Sequence, residues 1–127
     1  MITDEIRAAI EERKKTDDEW EYAVEQCWKK EAAILSKDMQ QTIAFLDNEC
    51  TADEFSWLSE IFYEVAEQTQ SGEFIACLRR VAEKFPEECK IYNVWSFIQE
   101  AASCIDADTN DAVNAAERSV WKRRKNP

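Results

Sequence analysis

TADEFSWLSEIFYEVAEQT, residues 51–69, is the strongest helix signal in the sequence. Thr51 and Glu54 have the spacing of a capping box, in which each side chain accepts a hydrogen bond from a backbone N–H of the first turn. Apolar side chains then recur at helical intervals, namely Phe55, Leu58, Phe62 and Val65, with Trp57 and Ile61 widening the stripe. The pattern predicts one amphipathic helix with a buried apolar face.

This helix lies inside an acidic block, residues 38–78, in which 41 consecutive positions hold no lysine or arginine. The block contains nine acids: Asp38, Asp47, Glu49, Asp53, Glu54, Glu60, Glu64, Glu67 and Glu73. On the predicted helix Glu60, Glu64 and Glu67 follow one another at i, i+4 and i+7, where like charges repel by a few tenths of a kcal/mol per pair. The repulsion is a small cost to stability that a basic partner would offset.

Composition predicts the fold class. The 127 residues suit one domain with its own core, and a hydrophobic fraction of 45% argues against disorder. One glycine and two prolines leave few residues for hairpin turns, which argues against an all-β fold. We therefore predict an all-α protein, a single compact bundle of about five to seven helices over residues 1–127.

Helical periodicity and caps divide the rest of the chain. Residues 4–35 fit either one long helix or two, and Glu31 falls there on the same face as Trp20, Val24, Cys27 and Trp28. Ser36 is a candidate cap for a short helix, and Ser71, Pro86 and Asn93 are placed to begin three later ones. A final helix is predicted from about residue 108, ending in a frayed basic tail, residues 122–127.

The sequence argues against catalysis. It contains no histidine, which removes the usual general base for a serine or cysteine nucleophile. The cysteines are odd in number, widely spaced and without a C-x-x-C pair, so we expect reduced structural thiols at Cys27, Cys50, Cys77, Cys89 and Cys104. We predict no enzymatic activity, no catalytic residue, no metal site and no cofactor.

The acidic block predicts a surface that binds a basic protein. Aromatic residues are enriched in interface cores, and a strong charge field speeds encounter with an oppositely charged partner. Trp57 and Tyr63 are the expected apolar anchors among the carboxylates. The predicted partner-binding residues are Asp47, Glu49, Asp53, Trp57, Glu60, Tyr63, Glu64 and Glu67. The competing interpretation is an ordinary solvated acidic surface, with Trp57 in the core.

Two other functions remain open on the residues alone. One is an acidic helical adaptor of another kind. The second is a magnesium-dependent all-α nucleotide pyrophosphohydrolase, because carboxylates at helical spacing can hold Mg²⁺. That activity needs tight E-E-x-x-E and E-x-x-D motifs and basic phosphate contacts, which the central block lacks. Its candidate carboxylates are Glu60, Glu64, Glu67, Glu83, Glu87 and Glu88.

Residues 45–105, FLDNECTADEFSWLSEIFYEVAEQTQSGEFIACLRRVAEKFPEECKIYNVWSFIQEAASCI, resemble small helical immunity proteins of bacterial polymorphic-toxin systems. These include the immunity proteins of contact-dependent growth inhibition. The likeness rests on a capped aromatic helix ending E-x-T-x-S, then E-F-I with a basic pair, E-K-F-P-E-E-C-K-x-Y-N, and a closing F-I-x-E-A. It implies an antidote that binds a cognate toxin domain, frequently a basic nuclease, and blocks it.

The expected location is the cytoplasm. No stretch approaches the roughly 20 apolar residues of a membrane helix, and the N-terminus lacks the basic-then-apolar layout of a signal peptide. We predict no membrane contact. The basic tail holds only four charges on an acidic protein with a net charge of -11, so we predict no direct contact with nucleic acid.

Overall fold

The computed structural model describes residues 2–105, and every regular element in that part of the chain is helical. The prediction of an all-α protein is confirmed. The elements in order are α1 (Ile2–Lys14), α2 (Glu21–Ser36), α3 (Met39–Asn48), α4 (Ala52–Leu58), a 3-10 turn (Ser59–Ile61), α5 (Phe62–Thr69), α6 (Gly72–Lys84), α7 (Pro86–Ile91) and α8 (Val94–Ser103). The predicted final helix and basic tail lie outside the described residues.

The predicted central helix is divided in two by the 3-10 turn. The Thr51–Glu54 capping box is confirmed at the start of α4, with both reciprocal bonds present. A 3-10 segment turns the chain by about 120° per residue instead of about 100° in an α-helix, so three such residues add a rotation of roughly 60° before α5 begins. Ile61 and Phe62 at this junction are fully buried. The turn thus separates the directions in which α4 and α5 present their polar faces.

The other helix boundaries agree with the predicted caps in part. The Ser71 side chain accepts a bond from the backbone N–H of Phe74, and Pro86 opens α7. The cap of α3 is Asp38 and not Ser36, because the Asp38 carboxylate accepts from the Gln41 N–H. Asn93 stands at the start of α8 in the left-handed region, with φ 55° and no side-chain cap bond.

Residues 4–35 form two helices and not one. The chain leaves α1 after Lys14 and enters α2 at Glu21, so that α2 folds back along α1. Trp20 sits in this connection and is 63% exposed, so the expectation that it shares the buried face of α2 is wrong. Val24, Cys27 and Glu31 are buried as the periodicity predicts.

Most side chains of the hydrophobic core come from α4 and the elements that follow it. Phe55 and Phe62 pack with ring centroids 5.3 Å apart, and Phe74 meets Phe62 edge-on at 6.2 Å. The first pair is tilted, and the edge-to-face second pair is one of the favoured arrangements of aromatic rings. Ile6 and Ile10 dock α1 on this core. That docking brings the basic side chains of α1 against the acidic side of α4.

Candidate functional site

Four acids of the block are neutralised inside the protein, and we call them the paired acidic row: Asp47, Asp53, Glu54 and Glu60. The cations come from residues outside the block, so basic side chains that are distant in the sequence lie next to these acids in the fold. Lys14 Nζ lies 2.7 Å from Asp53 Oδ2, and Arg7 Nε lies 2.8 Å from Glu54 Oε2. Cations of α1 therefore pair with the two acids of α4.

Arg13 and Glu60 form the least exposed ion pair of the row. Arg13 donates from Nε and from Nη2 to the two oxygens of Glu60, each at 2.9 Å, and from Nη1 to Asp18. The Arg13 side chain is only 6% exposed, and its guanidinium carbon lies 5.3 Å from the centroid of Trp57. Burial alone would lower the pKa of Arg13, but its bonds to Glu60 and Asp18 outweigh burial and raise that pKa. The guanidinium stays charged and fixed.

At the far end of the row Asp47 is held by α6. Arg80 Nη2 lies 2.9 Å from Asp47 Oδ2, and Lys84 donates to the Asp47 carbonyl at 2.6 Å. The hydrogen bond from Arg80 lowers the pKa of the Asp47 carboxyl. Asp47 therefore faces a cation of the same protein.

Beneath the row lies a carboxyl group with no partner. Glu31 is 2% exposed, and neither of its oxygens has a hydrogen bond within the described part of the chain. It borders a gap between α1 and α2 that has no room for a water molecule and is otherwise lined by Ile6, Ala9, Ile34, Leu35 and Leu58. Burial, helped by the charge of Glu60, raises the pKa of Glu31 to about 8. A neutral carboxylic acid therefore occupies this site at pH 7.

A second group of acids has a different environment, and we call it, with its tyrosine, the open acidic face: Tyr63, Glu64, Glu67 and Glu100. Tyr63 and the first two acids lie on α5, and Glu100 lies on the adjoining helix α8. No salt bridge within residues 2–105 involves Glu64, Glu67 or Glu100. Within the described part of the chain, their charges are therefore not balanced by an ion pair.

The pKa of Tyr63 responds to these negative charges. Its side chain is exposed, at 42%, and the negative charge of Glu67 is the main cause that raises the pKa of the phenol. Glu64 and Glu100 act in the same direction. One oxygen of Glu64 is buried with no hydrogen-bond partner among the described residues. An exposed aromatic ring thus stands among three carboxylates.

The structure divides the eight predicted partner-binding residues between these two regions. Asp47, Asp53 and Glu60 belong to the paired acidic row. Glu49 stands beside the row, with Oε2 accepting from Thr3 Oγ1 at 3.3 Å, and Trp57 is half-buried against the core. The members of the open acidic face are Tyr63, Glu64 and Glu67. The predicted surface is therefore not one continuous row.

Sequence reasoning missed the partners that produce this division. Arg7, Arg13 and Lys14 lie 39 to 47 positions away from the acids they pair with, so no local pattern indicates the contact. Glu100 joins the open acidic face only through the packing of α5 on α8. Glu31 did carry a signal, because it falls on a face shared with apolar side chains.

The cysteines are free thiols, four of them buried and Cys104 half-buried. Burial raises the pKa of Cys50 and of Cys77 to about 12, which keeps both thiols protonated and unreactive. Within residues 2–105, no three carboxylates or thiols are grouped as metal ligands. The same part of the chain contains no helix with the length and apolar content to span a membrane.

The chain matches no protein-family model, no curated protein and no solved structure. The resemblance to immunity proteins therefore stays a prediction.

Proposed function

We propose that this protein binds and neutralises a basic protein domain, as a cytoplasmic immunity protein binds its cognate toxin. The observation that carries the proposal is the open acidic face, where Tyr63 stands exposed among carboxylates that no described cation pairs. Aromatic anchors with a charged rim are typical of specific interfaces. A nuclease toxin fits this surface because its substrate is itself a polyanion, and an acidic inhibitor would compete for the same basic groups.

The division of the acids between the two regions narrows the set of residues that we expect to contact the partner. Glu64, Glu67 and Glu100 supply long-range attraction, because their charges are not cancelled by a neighbour in the described structure. Tyr63 supplies apolar area that is desolvated on binding. The paired acidic row contributes less attraction, since a partner's cation must compete with Arg7, Arg13 or Lys14.

The direct test begins with the neighbouring genes: we expect an open reading frame immediately upstream that encodes a large secreted protein ending in a toxin domain. We expect co-expression to protect cells from that domain, and the purified pair to bind with salt-dependent kinetics. Glu64→Gln, Glu67→Gln and Glu100→Gln together should slow association by about ten-fold at low salt. The absence of protection, or the absence of binding, would overturn the proposal.

A matched control removes three charges from another surface. Glu19, Glu21 and Glu25 are exposed around the start of α2. Changing these three to Gln alters the net charge by the same amount, yet we expect association within about two-fold of the wild type. An equal loss in both triple variants would mean that net charge, and not the open acidic face, attracts the partner.

Tyr63→Ala tests the anchor. We expect faster dissociation, with a loss of about 2 kcal/mol in binding free energy, because truncation removes an aromatic ring that a partner would cover. The melting temperature should stay close to that of the wild type, since the ring is already exposed. Unchanged dissociation would remove Tyr63 from the interface.

A further inference from the structure

A cleft opens between α4, the 3-10 turn and the α7–α8 junction. Its volume is about 270 Å³, and three of its walls are the aromatic rings of Trp57, Tyr92 and Phe97. This is just under the roughly 300 Å³ at which sites for whole small molecules begin. The cleft therefore has room for one long side chain.

The other lining groups of the cleft are hydrogen-bond acceptors. Ser56 Oγ donates to the Asp53 carbonyl at 2.7 Å, and Ser59 Oγ donates to the Ser56 carbonyl at 2.6 Å. Each hydroxyl has used its only hydrogen and presents lone pairs. The remaining two lining side chains are the carboxylates of Asp53 and Glu60, and no lysine or arginine of the described chain lines the cleft.

The two carboxylates differ in their remaining capacity to accept hydrogen bonds. Glu60 already accepts from Arg13 on both oxygens and from the Trp28 indole N–H at 3.1 Å, so its charge is balanced and it offers no further contact. Asp53 is 60% exposed and accepts from Lys14 through Oδ2. Its Oδ1 has no bond to any described residue, so Asp53 can receive a further donor.

We propose that this cleft binds the side chain of an arginine presented by a partner protein. A guanidinium carries five N–H donors and no acceptor, and its plane stacks on aromatic faces. Both properties match a site with aromatic walls and acceptor groups. The cleft shares no residue with the open acidic face, so either can fail without the other.

The test titrates the whole protein with N-acetyl-arginine amide and, in parallel, with N-acetyl-citrulline amide, a neutral probe of nearly the same shape. The readout is the indole N–H signal of Trp57 in nuclear magnetic resonance spectra, identified by its loss in Trp57→Phe. We expect saturable shifts with the arginine probe and binding at least about ten-fold weaker with the citrulline probe, because a charged hydrogen bond is lost. An equal response to both probes would overturn the proposal.

Substitutions in the cleft give a second readout. Tyr92→Ala and Asp53→Asn should each weaken binding of the arginine probe by about five-fold, since each removes one stacking or charged contact. Lys14→Ala should strengthen it by up to about three-fold, because the internal competitor for Asp53 is gone. Tyr22→Ala, which removes another exposed tyrosine ring on α2, is the control and should leave binding unchanged. Wild-type affinity in Tyr92→Ala would contradict the proposal.

Discussion

The four acids of the paired acidic row and three of the four residues of the open acidic face come from the same cation-free block, yet within residues 2–105 cations pair with the row and not with the face. The row lies against α1 and α6, whose arginines and lysines reach its carboxylates at 2.7 to 2.9 Å. The open acidic face lies on the far side of the 3-10 turn, against α8, which carries Glu100 and no base. The same local charge pattern is therefore paired with cations in one place and has no described ion pair in another.

Arg13→Ala should produce the largest effect, because it removes the cation of the row's most buried pair. Glu60 would remain next to Glu31 without its bidentate partner, and breaking a buried pair typically costs about 3 to 5 kcal/mol. Arg80→Ala is the matched control, since its pair with Asp47 is more exposed and should contribute less than about 1 kcal/mol. Urea denaturation measures both free energies of unfolding.

An equal loss of stability in Arg13→Ala and Arg80→Ala would contradict this expectation. In that case the ion pairs of the row would contribute no more to stability than ordinary surface pairs. The row would then differ from the open acidic face only because its acids have ion pairs.

A smaller change in the free energy of unfolding is expected when the pH is varied, because Glu31 gains or loses a proton. Its pKa in the folded protein is about 8, above the ordinary 4.5, so the folded state holds this proton more tightly than the unfolded chain does. Its contribution to stability is complete below pH 4.5 and is lost as the pH rises through 8. Between about pH 5 and pH 8 the free energy of unfolding should fall by about 3 kcal/mol.

Glu31→Gln should remove this decline, while Glu25→Gln, an exposed change on the same helix, should keep it. Thermal or urea unfolding across the pH range checks the result. A decline of equal size in Glu31→Gln would assign it to other groups and would leave Glu31 an inert member of the core.

The smallest expected change in the free energy of unfolding comes from removing the charges of the open acidic face in the absence of a partner. Replacing Glu64, Glu67 and Glu100 by Gln should raise the free energy of unfolding by about 0.5 to 1 kcal/mol at low salt, because mutual repulsion is removed. The gain should vanish near 1 M salt, where the Debye length is about 3 Å. A loss of stability at low salt would show that these charges already have internal partners.

The sequence predicts local features of this fold well. The Thr51–Glu54 capping box, the Ser71 cap and the start of α7 at Pro86 depend on side chains within three residues of one another, so their chemistry is visible in the sequence. The 3-10 turn is not visible, because Leu58, Ile61 and Phe62 fit a continuous apolar stripe equally well. Packing of these buried side chains selects the tighter turn.

The sequence predicts the total negative charge of the two acidic regions but not how it is divided between them. Glu60 and Glu64 are one helical turn apart and look equivalent in the sequence. They differ because α1 presents Arg13 to Glu60, while no described cation reaches Glu64. Which acid is neutralised depends on how α1 docks through Ile6 and Ile10, and that is decided by the packed core.

The distance along the chain between Arg13 and Glu60 also has a kinetic consequence. The pair joins residues 47 positions apart, so its formation closes a long loop and must wait until the helices between them have assembled. Contacts made after the folding transition state affect the unfolding rate more than the folding rate. We therefore expect loss of the Arg13 guanidinium to shorten the lifetime of the native state while leaving its rate of formation nearly unchanged.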